Sequence, residues 1–202
     1  MKKREMKNKI RRCEWCLGHP LYVDYHDKEW GVPEHHDRKL FEFLVLESAQ
    51  AGLNWLLILK RRENYRKAYA NWNVETIANF DAKKKEWLLS EESGIVRNRL
   101  KVDASIENAR RFLEVAEAFG SFDAYLWNFV DGRRRTTRPR PRRMEELPAK
   151  SDLSQRLSKD LRRRGFRFVG PVICHSYLQA VGLIDEHMQG CFVAEAIDAA
   201  NK

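Results

Sequence analysis

The sequence predicts an all-α protein, and three observations carry that reading. Apolar residues recur at helical spacing, most clearly at Leu40, Phe41, Leu44, Leu46 and Ala51 behind Asp37. No segment shows the apolar–polar alternation of a half-buried strand. Residues that start and stop helices stand at the ends of the periodic stretches: Asp37, Asn54, Ser151 and Pro171 at starts, Gly165 at a stop.

The elements follow in order. Residues 1–12, "MKKREMKNKIRR", carry seven Lys or Arg against one Glu and predict a loose basic arm. From Cys13 to Pro33 the chain is rich in aromatics but poor in periodicity, which predicts short turns rather than a long helix. Asp37 caps a helix that meets a second one, begun by Asn54, near Gly52. Short helices follow over Asn73–Ala78 and Ala82–Glu91. "EESGIVRNRLKV" reads as a helix end, a glycine turn and a new helix, and Glu107–Phe119 and Phe122–Val130 continue the pattern. Gly132, Pro139 and Pro141 break it, leaving a loop at 132–143 with seven arginines between 133 and 143. Ser151 to Gly165 bounds the next helix, and Pro171 opens one that runs through Ala180, with a further segment carrying His187. Helices on both sides of the Arg-rich loop need partners, so residues 13–202 are expected to form one domain.

Charge narrows the function. The balance is +9 with a pI near 9.5, which suits a polyanionic partner, nucleic acid before an acidic membrane surface. The least charged run, "FLVLESAQAGLNWLLIL", holds Glu47, Gln50, Gly52 and Asn54 and is short for a membrane span. The basic start lacks the apolar stretch of a signal peptide, and four cysteines are too sparse for a disulfide scaffold. The expected compartment is the cytoplasm.

Three groups of residues carry chemistry. Cys13, Cys16, His19 and His26 near one end, with His187 and Cys191 near the other, exceed the four N and S ligands of a closed zinc site. On a helix, His187 and Cys191 at i and i+4 would share a face. The competing readings are a redox C-x-x-C, which wants a βαβ context absent here, and plain buried thiols. Zinc would join the chain's ends and, with four protein ligands, would leave no open position for catalysis. Second, Glu47 is the only charged residue between Phe43 and Leu59, on the side of Leu40 and Leu44. Such a carboxylate is paired, protonated or facing a cavity. Trp15, Tyr22, Tyr25, Trp30 and Trp55 flank it in sequence; they are either core or the walls of a pocket for a flat ligand such as a flipped base. Third, Gly94 precedes a segment with Arg97, Arg99 and Lys101, which reads either as an ordinary connection or as a helix-hairpin-helix gripping DNA backbone.

"CEWCLGHPLYVDYHDKEWGVP", "LFEFLVLESAQAGLNW", "SGIVRNRLK", "RGFRFVGPVICHSYLQAVGLIDEH" and the late "GC" together resemble the bacterial 3-methyladenine DNA glycosylase I family, from about Cys13 to Cys191. The resemblance implies an all-α helix-hairpin-helix glycosylase fold with a structural zinc joining the N- and C-terminal regions, held by Cys13, His26, His187 and Cys191. It implies Glu47 as the base-recognising glutamate, Tyr25 and Trp55 at the base pocket with Trp15, Tyr22 and Trp30 nearby, and Gly94, Arg97 and Lys101 on the DNA backbone. It further implies a monomeric, monofunctional enzyme with no organic cofactor, acting on alkylated double-stranded DNA in a bacterial cytoplasm, at the nucleoid through DNA binding. The basic arm and the Arg-rich loop depart from the family pattern, Cys16 stands close enough to Cys13 to leave the choice of thiol open, and His175 is read as structural. The rival readings are a non-enzymatic, zinc-stabilised DNA-binding protein and a glycosylase with lyase activity.

Overall fold

The computed structural model describes residues 10–200. The helices run α1 Pro20–Lys28, α2 Asp37–Gln50, α3 Trp55–Ala68, α4 Val74–Ala78, α5 Ala82–Leu89, α6 Arg99–Phe119, α7 Phe122–Trp127, α8 Asp152–Arg163, α9 Pro171–Ala180 and α10 Phe192–Ala200. Asn54, Asn73, Asp81, Asn98, Ser121 and Ser151 each accept a backbone N–H from the first turn of the helix they precede. Each side chain thereby satisfies a donor the helix itself cannot.

Helix α2 is the axis of the core, packed against α3, α6, α7 and α9. Every residue from Leu40 to Ala49 is buried. A helix enclosed on all sides must carry its polar residues into the interior, and this is how Glu42 and Glu47 come to be inside. Phe41 meets Phe112 of α6 edge-on at 5.2 Å, and Phe112 stacks on Phe122 of α7 at 4.0 Å. The apolar cluster includes residues from Cys13 to Ala194 and draws on both sides of the Arg-rich loop.

Several expectations change. The aromatic segment contains a nine-residue helix, α1, started by His19 and Pro20; its buried face is Tyr25 and His26, polar-tipped residues that do not register as an apolar stripe. Asp37 occupies the first turn of α2, which His36 precedes, and its carboxylate accepts instead from the Phe122 and Asp123 N–H groups, capping α7 across the fold. His187 is not helical: Ile184–Asp185 (β2) pairs in parallel with Arg135–Thr136 (β1), and a turn follows before α10. The i, i+4 helical geometry expected for His187 and Cys191 is therefore absent. Most of the expected basic arm lies outside the described residues, but Arg12 is docked, its guanidinium on Asp27, and the Arg11 carbonyl accepts from Phe192 N–H.

The Arg-rich loop is also tied down. Arg140 is buried and donates to Asp185, Asp198 and the His187 carbonyl, while Arg138 pairs with Asp198 and Arg142 with Gln189. Arg138, Arg140 and Arg142 therefore fasten the loop to the C-terminal segment.

Candidate active site and metal cluster

Cys13, His26, His187 and Cys191 converge, all buried, with their ligand atoms within 4.8 Å of one another. Cys13 Sγ lies 3.6 Å from His187 Nδ1, and Cys191 Sγ lies 3.4 Å from His26 Nε2 and 3.8 Å from His187 Nδ1. A tetrahedral zinc with ordinary Zn–S and Zn–N bonds would place sulfur and nitrogen about 3.6 Å apart. The surroundings orient the set. Asp27, held by Arg12, meets His26 Nδ1 at 2.8 Å, which turns Nε2 toward Cys191. Met188 N–H donates to Cys13 Sγ at 3.3 Å. The Cys191 thiol is held below the ordinary range, by its hydrogen bond with Cys13 first and by His187 and His26 after it. Cys16 is excluded because its Sγ turns away to donate to the Cys13 carbonyl at 3.0 Å. His19 is excluded because it caps α1 through Nδ1. The residues present thus fit a closed four-ligand metal site with no open position.

Beside this cluster lies a cavity of about 260 Å³ lined by Glu47, Trp15, Tyr25, Trp30 and Trp55. Ligand pockets usually span about 300–1,000 Å³, so this one suits a single heterocycle better than a nucleotide. Trp15 and Trp30 meet at 5.0 Å, Tyr25 and Trp55 at 5.4 Å, and Trp30 stands 4.6 Å from the His187 ring. The aromatic wall and the Cys/His cluster are thus continuous. Tyr22 does not line the cavity; it stands edge-on to Trp15, and its hydroxyl accepts from Leu56 N–H at the start of α3.

Two buried glutamates of α2 show what is special about Glu47. Glu42 is 6% exposed and bound by Arg62 at 2.6 Å and Lys39 at 3.0 Å. Glu47 is 3% exposed, its Oε2 has no partner, and no cation lies within ion-pair distance among the described residues. Burial alone pushes its carboxyl up to about 8. Trp55, another residue lining the cavity, has a buried Nε1 without a partner. Burial, with Glu47 alongside, pushes the Tyr25 phenol well above its ordinary range, so it keeps its proton. An aromatic cavity lined by a buried, unpaired acid suits a polar, flat guest.

The cavity's outer wall was not foreseen. Gln50 of α2, Met144, Leu147, Pro148 and Ala149 from the segment after the Arg-rich loop, and Val172, His175, Ser176 and Gln179 of α9 complete it. "MEELPA" has no periodicity that would place it there. The "ICHSYLQ" helix carried a usable signal in its two polar residues, His175 and Gln179, four apart on one face.

Gly94 and Arg97 lie between α5 and α6, and Lys101 stands in the first turn of α6. Gly94 is left-handed (φ +66°), a backbone that favours glycine, and a Cβ there would push the Asn64 side chain aside. Arg97 is exposed and pairs with Glu91 at 2.9 Å. Lys101 points inward and donates to the Ala49 and Ala51 carbonyls at 2.7 and 2.6 Å, closing the C-terminal end of α2. No helix among the described residues is long and apolar enough to cross a membrane.

Residues 15–194 match the family model described as methyladenine glycosylase. The chain is 41% identical over 182 residues to DNA-3-methyladenine glycosylase 1 of Escherichia coli (strain K12), covering 90% of this chain and 96% of that protein. It is 38% identical over 180 residues to the DNA-3-methyladenine glycosylase of Haemophilus influenzae, covering 89% and 96%. Among solved structures, 3-methyladenine DNA glycosylase I of Staphylococcus aureus, studied for its recognition of 3-methyladenine, superposes with a TM-score of 0.85 at 36% identity over 91% of this chain and 96% of that one. Fold, sequence and an acid-bearing aromatic cavity point the same way: the chain belongs to the methyladenine glycosylase family.

Proposed function

We propose that this protein is a monofunctional DNA glycosylase that hydrolyses the N-glycosidic bond of 3-methyladenine in alkylated double-stranded DNA. The observation that carries the reading is Glu47, buried without a partner among aromatic rings in a cavity the size of one base. Methylation at N3 gives the purine a positive charge. A base swung out of the duplex into this cavity meets the electron-rich faces of Trp15, Tyr25, Trp30 and Trp55 and a carboxylate that the cation converts from neutral to ionised. The cationic purine is already a good leaving group. The C1′–N9 bond breaks with its electron pair returning to the base, water oxygen bonds to C1′, and the water's proton is lost to solvent. The base leaves neutral and the DNA keeps an abasic site. Glu47 chiefly selects the charged base. Among the described residues no lysine lines the cavity, which supports hydrolysis over an imine-forming lyase route.

The supporting parts follow the same reading. The Cys13–His26–His187–Cys191 cluster holds one structural zinc, joining residues near both ends of the chain, and no organic cofactor is used. When bound, the ion adds folding free energy rather than chemistry at the base. The turn at Gly94 and the start of α6, with Arg97, form a helix-hairpin-helix contact to DNA backbone, and Lys101 acts there by fixing the end of α2. Residues 13–202 work as one domain, and the enzyme acts as a monomer.

The test replaces Glu47 by Gln and follows zinc content, DNA binding and release of 3-methyladenine from methylated duplex. Release is expected to collapse with zinc and DNA binding retained. Unchanged release would refute the role of Glu47.

A further inference from the structure

His175 and Gln179 stand one turn apart on α9, and both face the cavity that holds Glu47. Their side-chain nitrogens converge on one oxygen of a buried acid. Glu186 Oε2 accepts from His175 Nε2 at 3.1 Å and from Gln179 Nε2 at 2.5 Å, while Oε1 accepts from Thr137 Oγ1 at 2.9 Å. His175 and Glu186 are each 2% exposed. The second ring nitrogen of His175 meets the Ser151 hydroxyl at 3.2 Å, which can donate to it.

This network removes the usual ambiguity of an amide. A carboxylate offers acceptors and no donor, so each of its three partners must donate. The NH₂ of Gln179 is therefore the end fixed on Glu186, and the carbonyl Oε1 is left over. Among the described residues that oxygen makes no hydrogen bond. The cavity wall thus carries a half-buried amide whose free end is an acceptor and which cannot turn over without setting a carbonyl against a buried carboxylate.

An adenine-type base carries a 6-amino donor where a guanine-type base carries a 6-oxo acceptor. We propose that Gln179 is a specificity-determining residue of the base cavity: its carbonyl, locked in direction by Glu186, accepts from the exocyclic amine of a methylated adenine and repels the exocyclic oxygen of a methylated guanine. His175 is a positioning residue that holds Glu186 in place. Sites built to hydrogen bond a substrate group discriminate strongly against analogues lacking it, because a buried partner is left unpaired. The inference rests on the glycosylase reading above and extends it to the choice between alkylated bases.

The experiment compares the full-length protein with Gln179→Met and His175→Phe on duplex DNA carrying both 3-methyladenine and 3-methylguanine, with the two released bases quantified separately. Methionine keeps the length of the side chain and removes the acceptor. Gln179→Met is expected to lower the rate ratio of 3-methyladenine to 3-methylguanine release at least tenfold, with His175→Phe shifting it in the same direction by less. A merely structural role would slow both bases equally and leave the ratio unmoved, which would overturn the inference while leaving the glycosylase reading intact. Gln179→Ala serves the same ratio measurement if the Met variant fails to fold. A wild-type protein that frees neither base would overturn both.

Discussion

Glu47→Gln should make the protein more stable, and the gain should depend on pH. Burial raises the Glu47 carboxyl from an ordinary 4.5 to about 8. Between those values the unfolded chain releases this proton while the folded chain keeps it. The folded state therefore binds more protons than the unfolded one, and stability falls as pH rises through that window. Each unit of pH there costs about 1.4 kcal/mol. At pH 7 the native protein carries a penalty of about 3 kcal/mol, which a glutamine does not. The buried amide has its own desolvation cost, but that cost does not change with pH, so the slope is the cleaner readout. Urea unfolding of both proteins at half-unit steps from pH 4.5 to 8.5 measures it. The difference should open from near its low-pH value at pH 4.5, reach about 3 kcal/mol by pH 7, and level off above pH 8. Parallel profiles would mean that Glu47 ionises freely in the folded protein, and the argument from its burial would fall.

Cys191→Ser should remove the bound metal, lowering zinc by elemental analysis from one per chain to none and the melting temperature by about 8 °C or more; a variant that melts unchanged would show that the cluster carries no ion of structural weight. Gly94→Ala forces a side chain into both a left-handed backbone and Asn64, so a loss of about 2 kcal/mol in urea unfolding is expected, with weaker binding to undamaged duplex. Arg97→Ala should leave stability unchanged and lower the slope of log affinity against log salt by about one on undamaged DNA. Lys101→Met should do the reverse, costing about 1–2 kcal/mol of stability through the freed α2 carbonyls with little change in salt slope; a salt slope that falls by one would return Lys101 to the DNA backbone.

Much of the fold was legible because its signals are local. Asn54, Ser151, Pro171 and Gly165 act within one turn of where they stand. Glu47 was legible for a different reason: one charge inside a long apolar run has few places to go. What stayed hidden was decided at long range. Asp37 looks like a cap for its own helix and serves α7, more than eighty residues on. The spacing of His187 and Cys191 suggested a helix, but the parallel pairing at Ile184–Asp185 and the turn after it bring both to the metal cluster by another route. Linear spacing alone could not separate Cys13 from Cys16; only the direction of the Cys16 thiol does. The seven arginines of the loop read in sequence only as a polar, charged break, yet Arg140 lies inside, spending its charge on Asp185 and Asp198. Tyr22 shows the converse, an aromatic in the right neighbourhood whose hydroxyl is occupied at α3.

The measurement that reaches the central claim most directly is incubation of the protein with methylated duplex DNA, followed by chromatographic identification of every base set free. A charge-selecting cavity built around Glu47 predicts free 3-methyladenine, abasic sites in matching amount, and no release of undamaged adenine. Tight binding of the duplex with no base in the supernatant would contradict it, and would leave a DNA-binding protein whose aromatic cavity is only core.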